Sequence, residues 1–434
     1  MVSVRHLCLV VLGLFLVGSS SVVMAAGSGA FRLETPDAGA MGKGSAFVGE
    51  ANTPAAIYYN PAGLNQIKKP ELSLGTSFLA PQVDYESSSN TNGNEVQMHR
   101  NTFWVPHLYA AIPVVTDKFT LGLGATSYFG LGTEWTQGSP LRYNTTEAVL
   151  ENKDYMLTAA YQATEQWSLA VSADDDDSKV SRKKKLLQSG GADGNSQLKG
   201  KDNAWGYRLA TMYKVNERHQ FGLMYRSRIK HKYEGKLYMD NLNNNGNSYQ
   251  AIFGAPYYET KFTEKLTLPQ SVVLGYSFKP TSRWTLNLDV EWMDWSSVKH
   301  EAANWTDETN ATRLSVLNTG NPAARDWHSV WSQAIGMEYA ANDRLRLRGG
   351  YYHHNSPIPQ DTWEPNLPDS NSHGFTTGFG YDVSQNLTLD FAYSALIFEQ
   401  RKIDNTVGND FGTDIDGQYK QFTNILLATL TYKF

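Results

Sequence analysis

The residues with the chemistry for catalysis are scattered along this chain rather than gathered. Serine, histidine and aspartate are all present, but no Gly-x-Ser-x-Gly elbow occurs, and the pair His353 and His354 has no serine partner suggested by spacing. A hydrolase needs nucleophile, base and orienting group in mutual reach, so a lipid hydrolase is the weaker reading and the chain is expected not to be an enzyme. The acidic run Asp174, Asp175, Asp176 and Asp177 reads as a solvated face, with calcium binding a remote second reading. Neither a metal site, a nucleotide motif nor a cofactor is expected. Arg346 and Arg348 alternate with Leu345 and Leu347, which suits one polar face on which arginines pair with acids such as Glu338 or Asp390. The formal net charge of −5 is mild and gives no reason to expect nucleic acid.

The elements that would position such groups begin with a leader. Arg5 and His6 precede an apolar core from Leu7 to Val17, followed by small residues and Val23, Met24 and Ala25. Residues 1–25 therefore read as a secretory signal cleaved after Ala25. The only cysteine, Cys8, falls inside it, so disulfides, thiol catalysis and thiolate zinc sites are excluded from the mature chain. Residues 26–69 are rich in small side chains, end in the motif Asn60, Pro61, Ala62, Gly63, and do not alternate like a strand. They read as a hatch, a small plug. Pro61 restricts Asn60 and Gly63 relieves the backbone, so the motif suits either a hinge or the turn from plug to wall.

From residue 70 to 434 the pattern has a period of two. The clearest case is Trp284, Leu286, Leu288, Val290 and Trp292, interleaved with Thr285, Asn287, Asp289 and Glu291. Short turns at 115–117, 164–165, 279–282, 341–343 and 384–385 alternate with long polar segments such as 84–94, 183–203, 302–321 and 356–370. Short turns on one rim and long loops on the other are the outer-membrane arrangement. The expected fold is all-β: an antiparallel transmembrane β-barrel of about fourteen strands with the small N-terminal hatch inside its lumen. Aromatic residues near strand ends, namely Trp104, Tyr109, Tyr128, Trp135, Trp292, Trp295, Tyr351, Tyr352 and Tyr393, are expected at the water–lipid boundary. Leu426, Ala428, Leu430, Tyr432 and the terminal Phe434 share one face, like the signal read by barrel-assembly machinery. The expected place is the outer membrane of a Gram-negative bacterium, among lipid and lipopolysaccharide.

Three ordered stretches carry a family resemblance. The first is the small-residue segment leading to Asn60, Pro61, Ala62 and Gly63. The second runs from Leu266 through Pro269 to Tyr276 and from Arg283 to Trp295. The third runs from Trp327 through residues 343–351, Ser356 to Pro359 and Leu367 to Asp369, reaching Asp390. Together the chain resembles the FadL/TodX family of outer-membrane transporters for long-chain fatty acids and other hydrophobic compounds. The resemblance implies passive uptake of a hydrophobic ligand through a fourteen-stranded barrel closed by a hatch, with Asn60, Pro61 and Ala62 as the hatch motif. It implies a basic residue where the tenth strand begins, a place taken here by His328, with Arg325 as the substitute, and a basic fifth strand matched by Lys179 and Arg182. Pocket-lining residues are expected from the hatch, namely Phe31, Met41, Phe47 and Ile57, each of which serves equally well as plug core. A histidine is a weaker and pH-dependent anion partner, so uptake of neutral aromatic or aliphatic hydrocarbons stays open as the alternative. A general diffusion porin is the third reading, disfavoured because an open channel gains nothing from a plug. The chain is expected to be a monomer, since each barrel carries its own path.

Overall fold

The structure, a computed structural model, describes residues 29–33, 37–88, 95–189, 192–245 and 248–434. The expected leader, 1–25, lies outside the described residues. Alternating sequence becomes wall: fourteen antiparallel strands, each hydrogen-bonded to its sequence neighbours, close into a barrel. We number them β1 (Glu71–Ser87), β2 (Glu95–Gln97 and Phe103–Val115), β3 (Phe119–Thr126 and Leu131–Glu134), β4 (Glu147–Gln162), β5 (Trp167–Leu186), β6 (Gly194–Lys214) and β7 (His219–Arg226 and Ile229–Asp240). The second half comprises β8 (Tyr258–Leu268 and Ser271–Thr281), β9 (Trp284–Met293, with Ala303–Trp305 above it), β10 (Val330–Ala340), β11 (Leu345–His354), β12 (Ser372–Asp382), β13 (Leu387–Phe398, with Arg401–Ile403 above it) and β14 (Gly417–Lys433). The barrel closes where β14 pairs with β1, from Glu71 opposite Lys433 to Ser87 opposite Gly417. A closed antiparallel sheet satisfies backbone hydrogen bonds without leaving an edge in lipid.

Parity sorts the side chains. On β5, Trp167, Leu169 and Val171 are exposed while Ser168, Ser172 and Asp174 are buried; on β6, Trp205, Tyr207 and Leu209 are exposed while Arg208 is buried. The apolar face of β14, Leu426, Leu430 and Tyr432, likewise points outward. Parity also overturns two expectations. Asp174 and Asp176 are fully buried rather than solvated, because a run of four acids on a strand must alternate between faces. They meet Arg208 at 2.9 Å and His231 at 3.1 Å. Tyr109, Tyr128, Trp135, Trp295 and Tyr352 are buried inside the barrel, whereas Trp104 is exposed and Trp292, Tyr351 and Tyr393 are partly exposed on the outward face, so proximity to a strand end does not decide which way a ring points.

The strands β4 to β8 are longer than a bilayer demands. β5 has 20 residues, about 66 Å at ~3.3 Å per residue, against the ~9–11 residues that suffice to cross. Lys183 to Leu186 and Gly194 to Lys199, which read as loop from composition, continue the β5–β6 ladder. The wall therefore rises beyond the apolar belt on this side.

Inside, residues 37–70 fold into two short helices, α1 (Ala38–Met41) and α2 (Ala56–Tyr59), and a 3-10 turn (Pro61–Gln66). Asp37 caps α1 by accepting the Ala40 N–H at 2.8 Å, and Asn60 caps the 3-10 turn by accepting the Ala62 N–H at 3.1 Å. The wall comes within backbone contact of this plug because glycines face it. A Cβ on Gly222 would collide with the Val48 carbonyl, and one on Gly336 with the Lys43 carbonyl.

Candidate ligand path and gate

A column of cavities runs down the barrel axis. At the rim with the long loops a cavity of about 600 Å³ is lined by Leu198, Leu237, Met239, Trp305 and Phe411 together with Arg182, Lys184, Glu301 and Arg325. Small-molecule sites typically fall between ~300 and 1,000 Å³ and are mostly apolar with a few placed polar groups. Below it lies a void of about 40 Å³ that shares Arg182, Glu301 and Arg325 and adds Phe31, Leu266, Trp327 and Ile358. A third, about 50 Å³, sits on the hatch between Ser45, Val48, Tyr58, Tyr59 and Tyr128. Under the hatch a cavity of about 620 Å³ opens among Asn65, Gln66, Lys68 and Gln220.

The neck between the two uppermost cavities is a charge network built from loops and wall. Arg182 on β5 points inward and grips Glu264 of β8 through both terminal nitrogens, at 3.1 and 2.7 Å. Arg325 reaches Glu301 and Glu364, each at 2.9 Å. Glu301 also faces Arg182 at 3.5 Å. Burial alone would raise the Glu301 carboxyl, but Arg325 and Arg182 outweigh it and hold the group down at about 2. The same acids push Arg325 up, against its burial. Lys184, two residues above Arg182 on the same face, makes no ion pair among the described residues and rests against the Phe411 ring.

Beneath the neck one aromatic ring fills the path. Phe31 is 5.4 Å from the Trp327 ring and 5.9 Å from Trp295, which also meets Phe129 at 5.8 Å. Its segment is held from three sides. Asp369 accepts the Gly29 and Ala30 N–H groups at 3.2 and 3.0 Å, and Arg32 pairs with Glu291 at 2.5 Å. The third hold is the break in β3, where Gly130 N–H donates to the Phe31 carbonyl and Leu33 N–H to the Tyr128 carbonyl, at 2.8 and 2.9 Å. Ala30 takes φ 63°, a left-handed conformation that costs an alanine about 1–2 kcal/mol. Across that break the β2–β3 ladder stops at Leu108 opposite Ala125 and resumes only as a bridge between Met98 and Trp135.

The hatch is held differently, by backbone. Asp289 of β9 accepts the Phe47 and Val48 N–H groups at 2.8 and 2.9 Å. Asn60 donates to the Val48 carbonyl at 3.0 Å and to Thr211 of β6 at 3.2 Å, and the Ser168 hydroxyl donates to the Ala62 carbonyl at 2.6 Å. Lys43 and Glu50 form a buried pair at 2.5 Å that Asn287 extends to the wall. Pro61, Ala62 and Gly63 are buried in the same turn, and a Cβ on Gly63 would strike the Ala51 carbonyl.

Of the residues singled out from sequence, Arg325 and Arg182 converge at the neck and Phe31 lies directly below. His328 and Lys179 do not join them. His328 is exposed at the foot of β10 and lines none of these cavities, because Trp327 takes the inward position beside it. Lys179 has odd parity on β5 and points out of the barrel. Met41, Phe47 and Ile57 are buried in plug core: Phe47 packs on Tyr59 at 5.4 Å and Ile57 against Gly122 and Gly124 of β3. Lys184, Glu264, Glu301 and Glu364 went unnoticed in the sequence. Lys184 was within reach, since it shares parity with Arg182; the glutamates come from distant segments and carry no local signal.

The sequence profile of the family described as "Outer membrane protein transport protein (OMPP1/FadL/TodX)" matches residues 19–434. The chain belongs to this family. It is an outer-membrane β-barrel of Gram-negative type, and the family is one of transport proteins. It is 24% identical over 403 residues to the long-chain fatty acid transport protein of Escherichia coli K12, covering 83% of this chain and 86% of that one. It is also 24% identical to a putative outer membrane protein of Neisseria meningitidis serogroup B, covering 96% and 97%. Among solved structures, a Pseudomonas aeruginosa FadL homologue superposes with TM-score 0.80 at 18% identity, covering 93% of this chain and all of that one (100%). The Ralstonia pickettii toluene transporter TbuX gives 0.69 at 16% identity, covering 93% and 99%. At such identities these two structures establish the shared fold.

Proposed function

We propose that the protein passively transports long-chain fatty acids or similar hydrophobic compounds across the outer membrane, and that it is not an enzyme. The observation that carries this reading is the column itself: an amphipathic cavity at the outer rim, an apolar cage filled by Phe31, and a hatch that blocks straight passage. Residues 26–69 form the hatch and 70–434 the barrel. A ligand chain entering the cage displaces Phe31 and replaces its apolar contacts, so the exchange needs little net energy. Displacement also frees the Ala30 strain and the hydrogen bonds to Tyr128 and Gly130, which loosens the wall where β2 and β3 are already unpaired. That gap is the exit, sideways into the membrane. Lys184 is the head-group partner for a fatty carboxylate, because Arg182 and Arg325 are both engaged.

That engagement favours a second reading. With each neck arginine neutralised by glutamates, an uncharged hydrocarbon meets no unpaired charge there. The protein works as a monomer, lies among phospholipid and lipopolysaccharide, and is inserted by barrel-assembly machinery through the strand ending in Phe434.

Direct binding of oleate and of toluene to the detergent-purified protein tests both readings. Oleate binding that weakens about tenfold in Lys184→Gln supports the fatty acid; toluene binding insensitive to that change moves the substrate to neutral compounds. Binding of neither, with large steady single-channel currents, would overturn transport in favour of a porin.

A further inference from the structure

The outer wall of β4 to β8 carries a lysine arrangement that the path does not use. Above the belt of Trp205, Tyr207, Leu209 and Tyr155, the outward positions turn basic. Lys179 stands directly opposite Lys201 across β5–β6. Lys199 opposes Lys236 across β6–β7, and Lys236 and Lys232 oppose Lys261 and Lys265 across β7–β8. Like charges directly opposite on one sheet face repel and destabilise the pairing. Here four such pairs adjoin on one wall of a chain whose net charge is −5. On the far side of the barrel at comparable height the pairing is conventional, with Asp84 opposite Lys420.

Carboxylates offset the patch only in part: Glu151 stands opposite Lys179 across β4–β5 and Glu234 opposite Lys201 across β6–β7, so the seven opposed lysines keep an excess over Glu151, Glu234 and Glu259. Lys236 pairs with Glu259 at 2.6 Å and Lys232 with Glu234 at 3.4 Å. Among the described residues Lys179, Lys199 and Lys201 make no ion pair. These three, with Lys236, rim an outward-facing depression of about 410 Å³ whose other walls include Val149, Tyr238, Glu151 and Glu234. Its height is set by the strand: Lys201 lies four residues beyond Trp205, about 13 Å along β6 at ~3.3 Å per residue, and less than that above the belt once the strand tilts. That is the level of lipid head groups, not of open solvent.

We propose that this wall is a docking site for the phosphorylated head group of an outer-leaflet glycolipid, the lipid A part of lipopolysaccharide. Phosphates placed between the opposed lysines convert each repulsive pair into a clamp, Val149 and Tyr238 meet the sugar and upper acyl carbons, and the aromatic belt below receives the chains. The proposal rests on the outer-membrane placement and is independent of what the lumen carries. Snug lipid packing on this side would also hold up the long β4–β8 wall that roofs the ligand cavity.

The test is native mass spectrometry of the purified full-length protein with bisphosphorylated lipid A, with its dephosphorylated form, and with inorganic phosphate as competitor. The expected result is selective retention of the bisphosphorylated lipid, reduced at least tenfold in a K199Q/K201Q/K236Q variant and restored in K199R/K201R/K236R. Oleate binding by the same glutamine variant should match wild type, which shows the barrel folded and separates this proposal from the transport reading. Equal retention of both lipid forms, or unchanged retention in the glutamine variant, would overturn it. Displacement by millimolar phosphate would also overturn it, as the mark of a free-anion site.

Discussion

The two closures of the lumen are made of different materials. The upper one is a side chain in a cage: Phe31 against Trp295, Trp327 and Phe129, apolar contacts that a ligand can supply in its place. The lower one is backbone: Asp289 on two hatch N–H groups, Asn60 between Val48 and Thr211, and wall glycines that admit the chain at contact distance. A ligand shifts an equilibrium only by its differential affinity for the two states. A greasy molecule therefore has leverage on the cage and almost none on the hatch, whose hydrogen bonds it cannot replace. The difference points the route sideways at the β3 break rather than downward through the plug.

The largest test of this contrast removes the rim above the cage. Arg325→Ala leaves the buried Glu301 with only the more distant Arg182 and the half-buried Glu364 without its cation, which puts the cost toward the lower end of the ~3–5 kcal/mol for breaking a buried pair. The loops should loosen, and calorimetry should show ligand binding largely lost with the barrel still closed to ions. Asp289→Ala attacks the lower closure instead. Two buried N–H groups lose their acceptor, worth about 1–3 kcal/mol, so planar-bilayer recordings should show transient openings while oleate affinity holds. If Asp289→Ala abolished binding and left conductance unchanged, the two closures would not be separate. Phe31→Ala sharpens the contrast from the other side. With the cage empty a ligand no longer competes, and oleate should bind about tenfold tighter, roughly 1.4 kcal/mol. Weaker binding would mean that Phe31 is a contact rather than a stopper.

Much of the wall was legible because period two is a local property. Strand number, closure and the outward face of β14 follow from alternation and from the spacing of turns. Interior sites are less so. Arg325 and Arg182 could be singled out by resemblance, but their capture by Glu301, Glu364 and Glu264 joins segments far apart in the chain. His328 and Lys179 failed on parity, a one-residue matter that motif matching does not weigh. The break in β3 has no breaker residue except Gly130; it is imposed by the segment from Phe31 to Leu33, which takes up the hydrogen bonds that β2 would have made. The long β4–β8 wall was hidden because Lys183 to Leu186 and Gly194 to Lys199 have the composition of loops while pairing as strand.

The smallest expected effect concerns protons at the hatch. Asp37 is buried where α1 meets the wall, and burial first, then the nearby Asp390, raises its carboxyl to about 6, against the pull of the Ala40 N–H, Arg348 and Lys43. A carboxyl raised above its unfolded value of 3.8 binds a proton more readily in the folded hatch. Its contribution is therefore fully present below about pH 4 and is lost as pH rises through about 6. The hatch should be tighter at pH 4.5 than at pH 7, by on the order of 1 kcal/mol; burial also raises the Asp369 carboxyl that accepts the Gly29 and Ala30 N–H groups, so the Phe31 segment has a proton dependence of its own. Hydrogen exchange of the residue 38–45 amides should accordingly speed up over that interval. Asp37→Asn should flatten the hatch response. If Asp37→Asn flattened the Phe31 segment's response as well, the two closures would open as one.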